Sequence, residues 1–263
     1  MLQGAWRWGM SGSDRQYVER NVWAEAEAPR AGKALRPAPE ETRWQPEHYQ
    51  RFFAWAQEQD LRYWPAFMFT AETGERRSGN LGVHWDAVDL ESRLCHLVFF
   101  VEQIDHRIVV KDYGKTNGGQ RNVPFSHHVA DALRHQKARQ AAERLKASSI
   151  HVCASSEPNC PERGYHDRGL VFCQRNGDYV NPERFTREFR RAIDRYNTTH
   201  NDKLPVINVH ALRHGWSSAA DAVGAPEAMR MKHLGQTSAA VKPQVHRRDH
   251  GEVQDDIGAL LFG

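Results

Sequence analysis

One short stretch decides the fold: His210-Ala211-Leu212-Arg213-His214. Its two histidines and its arginine stand at positions i, i+3 and i+4, so that their side chains can lie on one face of a helix. Three neighbouring side chains that can carry positive charge favour an anion as their ligand. His210 and His214 also have the i, i+4 spacing of metal ligands, but Ala211 stands where a zinc protease has its glutamate. A capping or surface cluster is the third interpretation of these residues.

The overall composition is that of a folded protein. Of 263 residues, 40% are hydrophobic and 26% are charged, and the net charge of +3 rises at low pH because of 15 histidines. These values exclude a wholly disordered chain and a polycation at neutral pH. The longest apolar run, Leu97–Val101, is far shorter than the roughly 20 residues of a membrane span, and the N-terminus lacks the apolar core of a secretory signal. We therefore predict a soluble, cytoplasmic protein that does not enter a membrane.

The chain contains four cysteines, and no two of them form a C-x-x-C pair. They are Cys95, Cys153, Cys160 and Cys173. This spacing fits neither a zinc ribbon nor a thioredoxin-type redox site. In a reducing compartment such cysteines remain free thiols. The sequence therefore predicts four free thiols and no metal or other cofactor.

A stretch rich in Pro, Gly and Ala, from Ala28 to Pro39, has the composition of a linker. The residues that precede it are too few for a hydrophobic core of their own. We therefore divide the chain into residues 1–37, a remnant of an N-terminal domain with its linker, and residues 38–263, one larger domain.

Helices and short strands alternate in the first half of this larger domain. Segments 47–56 and 63–69 have apolar residues at helical spacing and are expected to build the core. Segments 94–101, 107–110 and 121–125 are typical of strands. Together the strands predict a small antiparallel sheet with Lys115 in a glycine-rich hairpin.

The second half is mainly helical in pattern. Segment 129–146 predicts a long polar helix, and segment 182–196 predicts another. Between them we expect an exposed loop at 154–169 and a short strand at 170–173. Gly224 followed by Pro226 marks the end of one helix and the start of the next. The predicted fold class is α+β, mainly helical, with a small antiparallel sheet.

Three further segments accompany the central pentapeptide in a fixed order. They are TGERRSGNLGVHWDAVDL (Thr73–Leu90), KT (Lys115-Thr116) with RNVP (Arg121–Pro124), and HLGQTS (His233–Ser238). The set resembles the catalytic domain of tyrosine recombinases, the phage integrase family, over roughly residues 38–263. Members of that family carry a TGLR-type segment, a KT…RxVP hairpin, an HxLRH helix, an LGH turn and then a tyrosine. Residues 1–37 resemble the end of the family's N-terminal DNA-clamping domain.

The resemblance implies transfer of a DNA phosphodiester to a tyrosine without ATP or a divalent metal. Arg76 and Arg213 match the two arginines that hold the non-bridging phosphate oxygens. Lys115 matches the general acid for the leaving 5′ oxygen, and His210 matches the first active-site histidine. Gln236 stands at the last position of the LGH turn. Double-stranded DNA is the implied partner, with further contacts expected from Arg77, Arg121 and Lys242.

Three departures from the family pattern bear on activity. Gln236 can donate a hydrogen bond to a phosphate but cannot act as an acid or base. Gly79 replaces the acidic residue that usually follows the first arginine. The nucleophile is missing, because Gln244 or Val245 stands where the tyrosine is expected and no tyrosine follows Tyr196. Three other side chains near this position are weak alternatives as nucleophiles: Thr237, Ser238 and His246.

The C-terminal segment 253–261 has an apolar stripe at helical spacing. Its members are Val253, Ile257, Leu260 and Leu261. The stripe predicts either packing on the chain's own domain or, as the resemblance implies, docking on a neighbouring protomer to form a homo-oligomer on DNA.

Three hypotheses for function follow. The first is a site-specific DNA recombinase or integrase from a mobile element, which breaks and rejoins strands but is impaired by the missing nucleophile. The second is a non-catalytic DNA-binding module derived from an integrase. The third, a metalloenzyme based on the histidines of the pentapeptide, fits least because no cluster of carboxylates accompanies them.

Overall fold

A computed structural model describes residues 43–105, 107–112, 121–153, 160, 163–235 and 249–263 of the chain. Most of these residues are helical, and short strands lie between the helices. In chain order the helices are α1 (Pro46–Glu58), α2 (Trp64–Thr73), α3 (Arg77–Asn80), α4 (His127–Leu145), α5 (Pro182–Thr199), α6 (Val209–Ala222), α7 (Glu227–His233) and α8 (His250–Phe262). The strands are β1 (Val88–Asp89), β2 (Leu94–Leu97), β3 (Phe99–Ile104), β4 (Arg107–Asp112), β5 (Arg121–Pro124), β6 (Ile150–Val152) and β7 (Tyr165–Asp167). The predicted α+β class, mainly helical, is confirmed.

Helix α2 lies at the centre of the core. Every one of its residues is buried, and it contacts α1, α4, α6 and α8. A helix that is apolar on all sides is stable only where other elements surround it. Pro65 is tolerated because it lies in the first turn, where its missing N–H has no helical partner to lose. The C-terminus of α2 leads directly into the segment that carries Arg76, one of the predicted site residues.

The strands form three small sheets instead of the one that the sequence predicts. β1, β2 and β5 form an antiparallel sheet, and β3 and β4 form an antiparallel hairpin. The predicted strand 94–101 is therefore divided at Val98, because β2 pairs with β5 whereas β3 pairs with β4. Apolar residues continue across this break, so hydrophobicity alone could not locate it. Lys115 lies outside the described residues.

The prediction of an exposed loop at 154–169 is wrong at its C-terminal end. Residues 165–167 form β7, which pairs in parallel with β6, and Tyr165 and His166 are buried. The predicted strand at 170–173 is also absent, since only isolated bridges from Leu170 to His84 and from Cys173 to Tyr179 occur there. Both errors arise because the pairing partners are distant in sequence.

The C-terminal helix α8 packs on the chain's own domain. Val253, Ile257 and Leu261 are buried in the common core, and Leu260 is half-buried. The Gln254 amide donates to the backbone oxygen of Glu72 at 2.7 Å, which ties α8 to α2. The first of the two predicted uses of the apolar stripe is therefore the one observed. None of the described helices has the length and hydropathy of a membrane span.

Candidate phosphate-binding site

A left-handed glycine shapes the site at the end of α2. Gly74 has φ +61°, and a Cβ there would lie 2.8 Å from Cδ2 of Leu234. Glycine adopts this backbone conformation without strain. The chain then turns so that Glu75 is buried, whereas Arg76 is exposed at the start of α3. Adjacent residues thus point into the core and toward solvent.

Helix α6 supplies the second half of the site. Its N-terminus is capped by Asn208, whose side-chain oxygen accepts the N–H of Ala211 at 2.9 Å. In the turns that follow, His210 is exposed and Arg213 is buried. The helix face that these two residues share therefore lies at the edge of the domain. The side chain of His210 reaches solvent there, whereas that of Arg213 is covered.

Arg213 joins three elements through its guanidinium group. Nη1 donates to the backbone oxygen of Gly74 at 2.5 Å, and Nη2 donates to the backbone oxygen of Leu234 at 3.2 Å. These two oxygens belong to the chain just after α2 and just after α7. Since carbonyl oxygens at helix ends lack helical partners, Arg213 both satisfies them and fixes the turn from which Arg76 extends.

Arg76 and His210 border one open cleft of about 690 Å³. Other lining residues include Glu75, Arg77, Ser78, Glu102, Gln103, Glu183, Thr186 and Asn208. Burial lowers the pKa of His210, and the positive charges of His214, Arg213 and Arg76 lower it further. His210 is therefore a neutral imidazole near pH 7 in the unliganded site. An anion in the cleft would raise its pKa again and favour the protonated form.

A buried ion pair supports the site from behind. The Arg121 guanidinium pairs with the carboxylate of Glu75, and its Nε donates to the backbone oxygen of His233 at 2.9 Å. The side chains of Arg121 and Glu75 are 11% and 1% exposed. Arg121 thus connects the segment before Arg76 to the end of α7. Glu75 is itself a sequence signal for this pair, because the family's TGLR segment has leucine at that position.

His233 is a second supporting residue that the sequence analysis did not identify. Its ring stacks on Trp216 with centroids 4.1 Å apart, and its Nε2 is 2.8 Å from the backbone oxygen of Thr73. Burial lowers its pKa to about 3, so it is neutral and donates to that oxygen. His233 therefore holds α7 against the end of α2 and cannot supply a proton at neutral pH.

The remaining predicted site residues fall into two groups. Arg77 is exposed on the same cleft and donates to Oγ1 of Thr186 at 2.8 Å. Gly79 is buried in α3 and brings no carboxylate. Eight predicted positions lie outside the described residues: Lys115, Gln236, Thr237, Ser238, Lys242, Gln244, Val245 and His246.

Metal binding by the pentapeptide finds no support in its surroundings. The rings of His210 and His214 are 5.2 Å apart and perpendicular. Within the described ranges, the one group of three or more metal-ligating side chains lies elsewhere in the chain.

The described tyrosines are all buried, and burial raises the pKa of four of them. They are Tyr49, Tyr63, Tyr165, Tyr179 and Tyr196, and none of them lines the cleft.

Comparison with known proteins identifies relatives of the whole domain. Residues 43–241 match the sequence profile of the phage integrase family. A tyrosine recombinase XerC-like protein of Caldanaerobacter subterraneus subsp. tengcongensis is 22% identical over 188 residues, which cover 68% of this chain and 44% of that protein. The chain thus spans less than half the length of this relative.

Solved structures share the fold. The Tn1549 transposon integrase in complex with transposon right end DNA has a TM-score of 0.65 and 16% identity, over 90% of this chain and 69% of that one. The XerA recombinase has a TM-score of 0.54 and 15% identity, over 78% of this chain and 59% of that one.

Proposed function

Because the chain belongs to the phage integrase family, we propose that it binds double-stranded DNA through the cleft bordered by Arg76 and His210 and forms no phosphotyrosyl bond by itself. One observation carries the proposal: an exposed arginine and an exposed histidine share one cleft, and the buried Arg213 lies near enough to shift the pKa of that histidine. The Tn1549 integrase, which has the same fold, was solved with DNA, and this supports DNA as the partner.

Phosphate binding is assigned to Arg76 and His210. The three carboxylates that also line the cleft are each paired with a cation: Glu75 with Arg121, Glu102 with Lys111, and Glu183 with Arg187. The Arg76 guanidinium has the planar fork that donates two parallel hydrogen bonds to phosphate oxygens. His210 takes up a proton as the anion binds and then donates as well. Arg213 acts through Gly74, whose oxygen it holds, and so positions the segment that carries Arg76. Because these contacts are made to charged phosphates, binding is expected to weaken as salt increases.

Strand cleavage requires a nucleophile that this cleft does not present among the described residues. The described tyrosines are buried away from it, and the sequence has Gln244 or Val245 at the expected position. Lys115 and Gln236 keep their predicted roles as proton donor and phosphate ligand. Without an attacking group these side chains stabilise a bound phosphate but break no bond. The recombinase hypothesis in its active form therefore requires a nucleophile other than those tyrosines.

A nicked suicide duplex made from the DNA that flanks the gene tests both parts of the proposal. The protein is incubated with the labelled duplex over a series of salt concentrations and run on native and denaturing gels. We expect a native shift that disappears at high salt and no adduct on the denaturing gel. An adduct that survives denaturation would show an active nucleophile, which mass spectrometry would locate. The lack of any native shift would overturn DNA binding itself.

A homo-oligomer on DNA through segment 253–261 stays a prediction, as does the cytoplasmic location expected of a DNA-binding chain. Since Val253, Ile257 and Leu261 are buried in the chain's own domain, α8 would have to leave that position to dock on a neighbour. Light scattering of the protein with and without the duplex measures the number of chains in the complex. Two or more chains on one duplex would support the oligomer.

A further inference from the structure

We infer that Cys153, Cys160 and His166 bind one zinc ion beside β6 and β7, at a site separate from the cleft. The ligand atoms of these three side chains all lie within 4.8 Å of one another. None of the three residues lines the cleft bordered by Arg76 and His210. The inference does not depend on DNA binding.

The distances suit a tetrahedral zinc ion with these three side chains as ligands and water in the fourth position. Zinc lies about 2.3 Å from a thiolate sulfur and about 2.0–2.1 Å from an imidazole nitrogen, so a sulfur and a nitrogen bound to the same ion are about 3.6 Å apart. Sγ of Cys153 is 3.4 Å from Nδ1 of His166. Small movements of the side chains would therefore admit the ion between them.

The backbone fixes two of the three ligands before any ion binds. The parallel register pairs Val152 with Asp167, next to both ligands. Cys153 donates its N–H to the backbone oxygen of Asp167 at 3.2 Å, and His166 donates its N–H to that of Asn176 at 2.7 Å. A site held by strand pairing loses little conformational entropy on binding.

The three side chains are sheltered from solvent. Cys153 and His166 are 9% and 4% exposed, and Cys160 is half-buried. A bound zinc ion removes the thiol proton outright. On binding, each cysteine releases its proton to solvent, and His166 coordinates as the neutral imidazole.

The donor set selects the metal. Two thiolates with one imidazole favour zinc over magnesium or calcium, which prefer oxygen ligands. The sequence analysis predicted free thiols and no metal because Cys153 and Cys160 are farther apart than in C-x-x-C. Pairing of β6 with β7 brings His166 to them, and this contact is not visible in a local motif.

The zinc ion would stabilise the segment that follows β7 and contacts His84 and Trp85. β7 continues into Gly169, whose backbone oxygen accepts the N–H of Trp85 at 2.8 Å, and into Leu170, which bridges His84. These contacts lie outside the cleft, so we expect a structural role for zinc and no direct part in chemistry.

Metal analysis of the full chain tests this inference. The protein is purified without chelators, and its zinc is measured by plasma mass spectrometry; we expect about one zinc per chain. Cys153→Ser, Cys160→Ser and His166→Ala are each expected to lose the zinc. His151→Ala and Cys173→Ala are the matched controls: the first removes the histidine that pairs with His166 across the strands, the second a buried thiol outside the cluster. Both controls are expected to retain the zinc.

A second measurement on the unsubstituted protein keeps the test independent of misfolded variants. The protein is stripped of metal under reducing conditions and titrated with Co²⁺, and we expect a thiolate-to-cobalt charge-transfer band that Zn²⁺ abolishes. The absence of that band, together with absence of zinc, would overturn the inference. Retention of zinc by the three ligand variants would also overturn it. If the isolated protein instead contains a Cys153–Cys160 disulfide and binds no zinc after reduction, that result would overturn the zinc site and show that the two cysteines form a redox pair.

Discussion

Arg76 and Arg213 carry the same guanidinium group but differ in their surroundings. Arg76 is exposed at the cleft, whereas Arg213 is 7% exposed and donates to the backbone oxygens of Gly74 and Leu234. Removing a buried donor leaves its acceptors without partners, which destabilises the fold. Removing an exposed one does not. We therefore expect that substitution of Arg76 separates the proposed DNA binding from folding.

Arg76→Ala is expected to weaken DNA binding about tenfold or more, because hydrogen bonds to a charged group contribute about 1.5–3 kcal/mol. The free energy of unfolding should change by less than about 0.5 kcal/mol, as for other exposed side chains. Fluorescence anisotropy with a labelled duplex and urea denaturation measure the two quantities. Arg190→Ala is the control, since Arg190 is an exposed arginine paired with Asp194 on α5. Equal losses of affinity in both variants would contradict a specific role for Arg76.

The Glu75–Arg121 pair is the other residue-scale feature that distinguishes this site. Glu75→Gln is expected to lower the free energy of unfolding by about 3 kcal/mol, because it leaves the guanidinium of Arg121 in a buried position without its counter-charge. The double variant Glu75→Leu with Arg121→Met should recover most of that loss, since apolar residues can replace a buried pair. Urea denaturation of Glu75→Leu, Arg121→Met and the double variant measures the coupling. Additive losses would mean that the two side chains do not stabilise the fold as a pair.

At the scale of elements, α2, α4 and α8 meet at one buried carboxyl group. Glu72 of α2 is fully buried and accepts the N–H of Ser126 at 2.6 Å and the Gln254 amide at 3.2 Å. Ser126 precedes α4 and Gln254 belongs to α8. Burial raises the pKa of Glu72 to about 7, although its hydrogen bonds oppose this shift. The packing of the three helices is therefore sensitive to pH.

The sign of this effect follows from the two pKa values. The folded state binds the Glu72 proton up to about pH 7, whereas an unfolded glutamic acid loses it near 4.5. The stability that protonated Glu72 contributes is thus present below pH 4.5 and is lost as the pH rises through 7. Relative to Glu72→Gln, the unsubstituted protein should lose about 3 kcal/mol between pH 4.5 and 8.

Urea denaturation of both proteins at a series of pH values measures this difference. Both proteins contain His233, so the comparison also cancels the effect of His233 on the pH dependence of stability. That effect is opposite in sign to the effect of Glu72. The pKa of His233 falls to about 3 in the folded state, so its buried ring stays neutral there. The folded protein therefore loses stability as the pH falls below about 6.5, the pKa at which the unfolded chain takes up this proton. A difference between the two proteins that does not vary with pH would contradict the raised pKa of Glu72.

At the scale of the whole molecule, the C-terminal helix closes the core of its own domain. Helix α8 contacts α1, α2, α4 and α6, and Ile257 at its centre is fully buried. The domain would expose a large apolar surface if this helix were to leave, which costs about 25 cal/mol per Å². Exchange of α8 between protomers therefore requires that the partner's helix fill the same site.

Ile257→Asp is expected to lower the free energy of unfolding of the dilute protein by about 3 kcal/mol or more, because it places a charge in the core. Thermal unfolding followed by circular dichroism, at a concentration where light scattering finds single chains, measures the loss. Ala259→Asp adds the same charge at an exposed position of α8 and should have little effect. An unchanged melting temperature for Ile257→Asp would mean that α8 packs on its own domain weakly or not at all.

Much of the fold follows from local patterns in the sequence. The helices at 47–56 and 182–196 are predicted because their apolar residues recur at helical spacing, which is a local property. β7 and the division of the first strand at Val98 are not predicted, because each depends on a partner strand elsewhere in the chain. Strand pairing is decided by which surfaces can be buried together, and no short window of sequence contains that information.

The sequence by itself determined the family, the α+β class, the candidate residues Arg76, His210 and Arg213, and the lack of a tyrosine at the nucleophile's position. The order of the motifs, the helical spacing of the apolar residues and the identity of each residue can all be read from the sequence alone. Only the tertiary structure decided that Arg213 is buried while Arg76 is exposed, that Glu75 pairs with Arg121, and which thiols and imidazole form a cluster. These features join residues distant along the chain, and burial and charge pairing arise only when the packed chain brings them together.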